Sequence, residues 1–256
     1  MKGAWLETLT WPEAKAAIDA GRPIIIPIGA IAKEHGHHLP LNTDYLIARA
    51  LADLVAAELP VLIAPVVCFG YYPAFVRYPG SQTIAAATFQ NLLLDIFAKF
   101  ARDGVSSMAV INTGVSTEAP LRIAIRDFYE QTGVRVHSVD IRMLGAKSRR
   151  LLAQRGGGHA DEWETSVMLA IAAETVRLDK ARPDYGHGDS GEGVFYTPTI
   201  FCGDPASSSD YSATGARGDP SLASIEKGRA FLADMVAELI TGLKATFPRL
   251  IEEPRT

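Results

Sequence analysis

The residues from Pro23 to Gly29 form a continuous apolar run, PIIIPIG. A strand buried on both faces of a parallel sheet has this pattern, whereas a strand with one solvent face alternates apolar and polar residues. Apolar segments at 61–67, 105–112 and 134–141 also predict strands, and they alternate with helical patterns at 43–59, 89–102 and 118–131. This alternation predicts a layered α/β fold with a largely parallel central sheet flanked by helices.

The rest of the chain predicts a short helix at 11–19 and two longer helices at 161–174 and 220–243. Residues 183–220 are rich in Gly, Ser, Asp and Pro. A loop this long in a compact domain usually serves a site or an interface. We find no internal repeat and no linker, so we expect residues 1–256 to form a single domain.

Composition excludes several classes of protein. The net charge is −4 and no basic run occurs, so nothing indicates a nucleic acid or an anionic membrane as partner. The apolar runs are too short to span a membrane, and the N-terminus lacks the apolar core of a secretion signal. Cys68 and Cys202 lie in no metal-type or disulfide-type spacing. We expect a cytoplasmic protein that acts on a small molecule.

Three polar segments follow predicted strands or begin predicted helices. They are 33–44 (KEHGHHLPLNTD), 112–116 (NTGVS) and 158–166 (GHADEWETS). In parallel sheets, sites form beyond the carboxyl ends of the strands, where we expect all three segments to meet. A hydrolytic metal site needs a few His and carboxylate ligands and an open position for water. His35, Asp44 and Glu164 provide such a set, and His159 is a nearby proton carrier.

Each of these residues also has a structural interpretation. Asp44 and Glu164 stand at predicted helix starts, where the helix dipole favours acids. For Lys33 the structural interpretation is a side chain that points into solvent. The other histidines are expected to make loop or strand contacts; they are His37, His38, His137 and His187.

Four ordered motifs resemble those of the creatininase (creatinine amidohydrolase) family. The loop 33–44 resembles Glu-x-His-Gly-x-His-Leu-Pro-x-x-Thr-Asp, and 78–81 (YPGS) resembles Phe-Pro-Gly-Thr. Residues 159–166 resemble His-Ala-Gly-Glu-x-Glu-Thr-Ser. Residues 214–220 with 227–228 resemble the C-terminal Gly-x-x-Gly-Asp-Pro and Lys-Gly. The resemblance extends over nearly the whole chain.

This resemblance implies an α/β metal-dependent amidohydrolase that is commonly hexameric. Family members cleave non-peptide C–N bonds, including the cyclic amide of creatinine and a formamide, and a related member is a peptidase. Their sites hold two divalent metals bridged by the Asp that matches Asp44. His35 then corresponds to a ligand of one metal, with Glu164 as the candidate third ligand. His159 corresponds to the catalytic histidine.

The chain departs from the family at the other metal. Lys33 and Gly114 stand where the family has a Glu and a His ligand. We therefore expect one divalent metal per subunit, zinc, manganese or iron. We expect Lys33 to pair with Asp44 in place of the lost ion. Glu34 is expected to face away from residues 33 and 35, as alternate residues of an extended segment do.

These observations predict a hydrolase of an amide-type C–N bond, a cyclic amide or a formamide, in a homo-oligomer, by resemblance a hexamer. The predicted catalytic residues are His159, Lys33 and Glu162. Substrate contacts are predicted at Gly114, Ser116, Trp163 and Phe75, and metal ligands at His35, Asp44 and Glu164. Two alternatives stay open, namely a non-catalytic protein that binds a small molecule in the same pocket, and an enzyme that uses Lys33 as nucleophile or base.

Overall fold

A five-stranded parallel sheet forms the centre of the molecule. The computed structural model describes residues 2–186 and 198–250. The strands are β1 (Ala4–Trp5), β2 (Ile24–Ile28), β3 (Leu62–Ile63), β4 (Met108–Asn112) and β5 (Val136–Asp140). Their order across the sheet is β1-β3-β2-β4-β5, and every neighbouring pair is parallel. The predicted α/β architecture is therefore confirmed.

Helices cover both faces of this sheet. They are α1 (Trp11–Asp19), α2 (Thr43–Glu58), α3 (Ala86–Arg102), α4 (Glu118–Thr132), α5 (Glu162–Ile171) and α6 (Ile225–Thr246). One apolar core joins the sheet to α2, α5 and α6, and the other joins it to α3 and α4. Ile25 belongs to the first core, while Ile24 and Ile26 belong to the second. The apolar run of β2 thus faces helices on both sides, as its pattern predicted.

Two predicted elements are shorter or shifted. The strand predicted at 61–67 pairs regularly only at Leu62–Ile63, because Pro65 has no N–H for a ladder hydrogen bond. The last helix begins at Ile225 and not at 220. The Ser224 side chain accepts a hydrogen bond from the Lys227 amide, which defines the helix start.

The long loop region packs over the carboxyl end of the sheet where it is described. Phe201 donates its backbone N–H to the Ala74 carbonyl at 2.8 Å, and the Tyr78 hydroxyl donates to the Ser212 carbonyl at 2.9 Å. His187 lies outside the described residues. Within the described residues, 2–186 and 198–250, no helix is long and apolar enough to cross a membrane.

The packing of α5 against α6 yields the first testable prediction. A Cβ at Gly228 would lie 1.8 Å from the Ser166 carbonyl oxygen, so Gly228→Ala forces the helices apart. We expect it to lower the free energy of unfolding by about 1–3 kcal/mol in denaturant titrations.

Gly242 on the same helix provides the matched control. A Cβ there would meet nothing within 4 Å. Gly242→Ala should stabilise the protein by about 0.5–1 kcal/mol through helix propensity alone. Equal effects of the two substitutions would contradict this account of the α5–α6 contact.

Candidate metal and catalytic site

The end of β2 lies directly against the first turn of α2. A Cβ at Gly29 would lie 2.4 Å from the Asp44 carbonyl oxygen, so glycine is what permits this approach. The Thr113 hydroxyl, just after β4, lies 2.9 Å from the Ile28 carbonyl and 3.0 Å from the Asp44 carbonyl. Two strand ends and one helix start thereby fix Asp44 at the carboxyl edge of the sheet.

Lys33 and His35 converge on the two carboxylate oxygens of Asp44. Lys33 Nζ lies 2.7 Å from Oδ2, and His35 Nε2 lies 3.0 Å from Oδ1. Lys33 is only 5% exposed and Asp44 1%, so this is a buried ion pair. Burial would raise the pKa of Asp44, but the charges of Lys33 and His35 outweigh burial and hold it far below its usual range. The predicted Lys33–Asp44 pair is confirmed, and the solvent-facing alternative is wrong.

Two aromatic rings enclose the Lys33 ammonium. Nζ lies 5.1 Å from the ring centroid of Phe75 and 5.7 Å from that of Tyr72. The Tyr72 ring occupies the space beside Gly114, because a Cβ at Gly114 would lie 2.8 Å from Tyr72 Cε1. A histidine at position 114 would displace Tyr72. Gly114 therefore leaves space for an aromatic ring next to Lys33. The predicted contact of Gly114 with substrate stays a prediction.

His159 lies between two buried carboxylates. Its Nε2 is 2.9 Å from the Glu34 carbonyl oxygen and 3.1 Å from Glu34 Oε2, and its Nδ1 is 3.7 Å from Glu164 Oε2. Lys33 and His35 contact Asp44, whereas the Glu34 carboxylate contacts His159 in the same cluster. Sequence analysis missed this role, because the alternation of side chains says nothing about a partner brought from residue 159.

Glu164 approaches His159 from the first turn of α5. Its carboxylate accepts a hydrogen bond from the Ala160 amide at 2.5 Å. Ala160 is buried and has a φ of 47°, which a residue with a side chain rarely adopts. Burial raises the pKa of Glu164 to about 7, although the charges of His159 and Lys33 oppose this rise. The positive charges around the Glu164 carboxylate therefore compensate its burial only in part.

Donor atoms of His35, His159 and Glu164 lie within 4.8 Å of one another. The surroundings are electrostatically unbalanced. Three of the buried carboxylates belong to this cluster, those of Glu34, Asp44 and Glu164, and the Lys33 ammonium is buried with them. With all three carboxylates ionised and the imidazoles neutral, the cluster would have two negative charges in excess, which is costly in a buried site. A divalent cation fits both this charge and the donor set.

Several predicted site residues have other surroundings. The Glu162 carboxylate accepts from the Ala153 and Gln154 amides at 2.8 and 2.7 Å, and Lys227 Nζ also contacts it. These partners belong to the loop before α5 and to α6, not to the cluster. The proposed catalytic role of Glu162 therefore gains no support from its contacts.

Of the residues predicted to touch substrate, Phe75 lies in the site. Its ring centroid is 4.1 Å from that of His159. Trp163 packs edge-on against Phe231 in the α6 core, with ring centroids 6.2 Å apart. Ser116 is half-buried in the short turn Val115–Thr117. Trp163 and Ser116 therefore stay predictions.

Two of the other histidines, His38 and His137, have structural surroundings. His38 Nε2 is 2.9 Å from the Thr165 hydroxyl, and burial lowers the pKa of His38 to about 4. His137 lies edge-on to Phe247, with ring centroids 5.5 Å apart. Both support the interpretation of these histidines as structural contacts.

A parallel α/β sheet with a buried cluster of histidines and carboxylates at its strand ends is typical of metal-dependent hydrolases. The family profile described as "Creatininase: Creatinine amidohydrolase" matches residues 7–243. The chain belongs to the creatininase family.

Individual relatives agree with this assignment. "Creatinine amidohydrolase" from Pseudomonas putida is 26% identical, covering 96% of this chain and 98% of the relative. "Mycofactocin precursor peptide peptidase" from Mycobacterium ulcerans (strain Agy99) is 27% identical, covering 93% and 87%. The solved structure "Creatininase Mn" is similar with a TM-score of 0.81 at 25% identity, covering 96% of this chain and 99% of that chain. A solved mutant creatininase described as "Zn-Zn type" has a TM-score of 0.80 at 25% identity, covering 97% and 100%.

The raised pKa of Glu164 predicts a specific dependence of stability on pH. The folded protein keeps a proton on Glu164 up to about pH 7, while the unfolded chain releases it near 4.5. Stability of metal-free protein should therefore fall as the pH rises through this window, by up to about 3 kcal/mol. Asp44 has a lowered pKa, so its contribution is lost only at pH values below this window.

The Glu164→Gln variant should not show this decrease in stability. The test compares its free energy of unfolding at pH 5 and at pH 7, with a chelator present, with that of the wild type. Glu238→Gln is the control, since Glu238 accepts from the Gly145 amide at 2.7 Å, a contact outside the cluster. An identical slope in wild type and Glu164→Gln would contradict the prediction.

Proposed function

We propose that this protein hydrolyses a non-peptide amide-type C–N bond, in a cyclic amide or a formamide, with one divalent metal ion per subunit. The observation that carries the proposal is the buried ion pair of Lys33 and Asp44, 2.7 Å long. Lys33 already supplies one positive charge to this carboxylate. The excess charge left in the cluster then matches a single divalent cation.

The family relationship supports the reaction class. One relative is named for creatinine and another for a precursor peptide, so cleavage of C–N bonds is common to both names. Burial favours the smaller substrate for this chain. Lys33, His35 and His159 are each at most 5% exposed, and the Phe75 ring lies against His159. A compact amide suits such an enclosed site better than a peptide does.

The metal, when bound, would act as a Lewis acid on the substrate carbonyl and lower the pKa of a water molecule. His35 and Glu164 are proposed as two of its ligands. Lys33 Nζ places a fixed ammonium in a site of low polarity, where it stabilises the negative oxygen of the transition state. The rings of Phe75 and Tyr72 keep water from Lys33 and so strengthen this interaction.

The contacts of Lys33 weigh against its use as a nucleophile. A nucleophilic lysine has to lose its proton, and Asp44 at 2.7 Å stabilises the protonated ammonium instead. The non-catalytic alternative differs from our proposal in an observable way, because it requires neither bound metal nor turnover.

Two measurements test the proposal. Elemental analysis of protein purified without chelators should find about one zinc, manganese or iron per subunit. The metal-loaded protein should hydrolyse at least one compound in a panel of cyclic amides and formamides, and chelation should abolish this activity. Protein that contains no metal and takes up none would favour the non-catalytic alternative.

Lys33→Met should lower kcat/KM on the compound identified by about 100-fold or more. This substitution also leaves the buried Asp44 without its partner, which should lower the free energy of unfolding by about 3–5 kcal/mol. The double variant Lys33→Met/Asp44→Asn leaves neither charge unpaired. It should fold normally, but it should hydrolyse the compound as slowly as Lys33→Met does. Lys99→Met is the control, since Lys99 forms an exposed ion pair with Asp103 on α3. Full activity in the double variant would contradict the role of Lys33.

A further inference from the structure

We propose that the metal ion of this chain is bound by His35 Nε2, His159 Nδ1 and a Glu164 carboxylate oxygen, and that Glu34 orients His159 for this purpose. Asp44 is then the counter-ion of Lys33 and not a ligand. This inference rests on the proposed metal-dependent function, but it assigns His159 a different role from the proton carrier that the family resemblance implies.

The hydrogen bonds of His35 determine which nitrogen is free. Nδ1 lies 2.8 Å from the Lys33 carbonyl oxygen, which can only accept, so Nδ1 carries the hydrogen. In a neutral ring, Nε2 then has the lone pair. Nε2 faces Asp44 Oδ1 at 3.0 Å, which is also an acceptor. A proton at Nε2 makes this arrangement favourable, and a metal ion bound to Nε2 would take the place of that proton.

The hydrogen bonds of His159 identify its free nitrogen in the same way. Both oxygens near its Nε2 belong to Glu34, a carbonyl at 2.9 Å and a carboxylate oxygen at 3.1 Å. Both are acceptors, so Nε2 carries the hydrogen. The lone pair is on Nδ1, which faces Glu164 Oε2 at 3.7 Å. The free nitrogen of His159 is thus directed toward the carboxylate of the cluster.

Histidines that bind metals nearly always donate their other ring N–H to a carboxylate or a backbone carbonyl. His35 does so to Lys33 and His159 to Glu34, which is the arrangement expected of two ligands. Together with Glu164 they form a two-histidine, one-glutamate set, as catalytic zinc sites use. Ligands of one zinc ion lie about 3–4 Å apart, so the separation of up to 4.8 Å has to contract by roughly 1 Å on binding.

Asp44 is the weaker candidate for the third ligand. Its Oδ2 is held by Lys33 at 2.7 Å, so one of its oxygens is already engaged. The Lys33 ammonium also neutralises the charge that would attract a cation and repels a second positive charge beside it. In the part of the chain that the structure describes, Glu164 has no lysine ammonium within ion-pair distance; its ion-pair contact is with His159.

Hydrogen bonds and a close approach at a glycine fix the position of Glu34. Its Oε1 accepts a hydrogen bond from the Gly36 amide, and the Glu34 amide donates to the Ser81 hydroxyl at 2.9 Å. A Cβ at Gly215 would lie 2.0 Å from Oε1, and Gly215 has a φ of +85° that disfavours a side chain. Glycine at 215 therefore leaves the room that Glu34 needs to reach His159.

The ligand assignment is tested by the zinc affinity of matched variants, measured by competition with a chelator. We expect His159→Gln to weaken zinc binding by about 100-fold or more, and Glu34→Gln by about 10–100-fold. The double variant Lys33→Met/Asp44→Asn should stay within about 10-fold of wild type, because it removes no ligand and leaves no charge unpaired. Glu118→Gln, in a partly exposed ion pair on α4, is the control for a distant carboxylate.

Proton NMR of the cobalt-substituted protein gives an independent count of imidazole ligands. Two strongly shifted, exchangeable ring N–H signals are expected in wild type and one in His159→Gln. Loss of zinc in the double variant with retention in His159→Gln would overturn the ligand assignment while leaving the metal-dependent function intact. Zinc bound as predicted without hydrolysis of any amide would overturn the proposed function only.

Discussion

The buried ion pair between Lys33 and Asp44 is the interaction on which the rest of the site depends. It is 2.7 Å long and almost completely removed from solvent, so neither charge is stable there without the other. Since Lys33 compensates Asp44, the two other carboxylates of the cluster, Glu34 and Glu164, have no lysine partner among the described residues. His159 lies between them. The charge left over, and not the donor residues alone, is the basis of our proposal of one cation at His159 and Glu164.

The fold creates this cluster through close approaches that only glycine allows. Gly29 lets the first turn of α2 lie on the end of β2, which places Asp44. Gly114 makes room for the Tyr72 ring that encloses Lys33, and Gly215 makes room for the Glu34 carboxylate. These glycines come from three different parts of the chain. The parallel sheet brings Gly29 and Gly114 together because the carboxyl ends of its strands share one edge. Gly215 lies in the later loop, which pairs with His159 through Arg217.

The sequence was sufficient to predict the sheet, most helices and the Lys33–Asp44 pair. The sheet and the helices follow from local patterns, such as the apolar run of β2. The Lys33–Asp44 pair was predicted from the family resemblance, because Lys33 stands where the family has a metal-binding Glu. Glu162 and Glu164 show the limit of that approach. Two residues apart on a helix, their side chains point in directions about 200° apart. Glu164 meets His159, while Glu162 meets the amides of Ala153 and Gln154.

Contacts between distant segments could not be predicted. Glu34 and His159 are 125 positions apart, and their pairing requires the loop 33–42 to leave the extended conformation at Gly36, whose φ is +71°. Tyr72 reaches Gly114 from a loop with no periodic pattern. A larger side chain at Gly36 or Gly114 would exclude these contacts. Glycines close to candidate ligands were therefore the feature of the sequence that indicated close contacts between distant segments.

Anomalous diffraction at the zinc absorption edge, from crystals grown with excess zinc, tests the central claim most directly. The account predicts one peak per chain, among His35 Nε2, His159 Nδ1 and Glu164, with Lys33 still in contact with Asp44. A second peak between residues 33 and 44, with the Lys33 ammonium displaced, would show that lysine has not replaced an ion and would contradict the account.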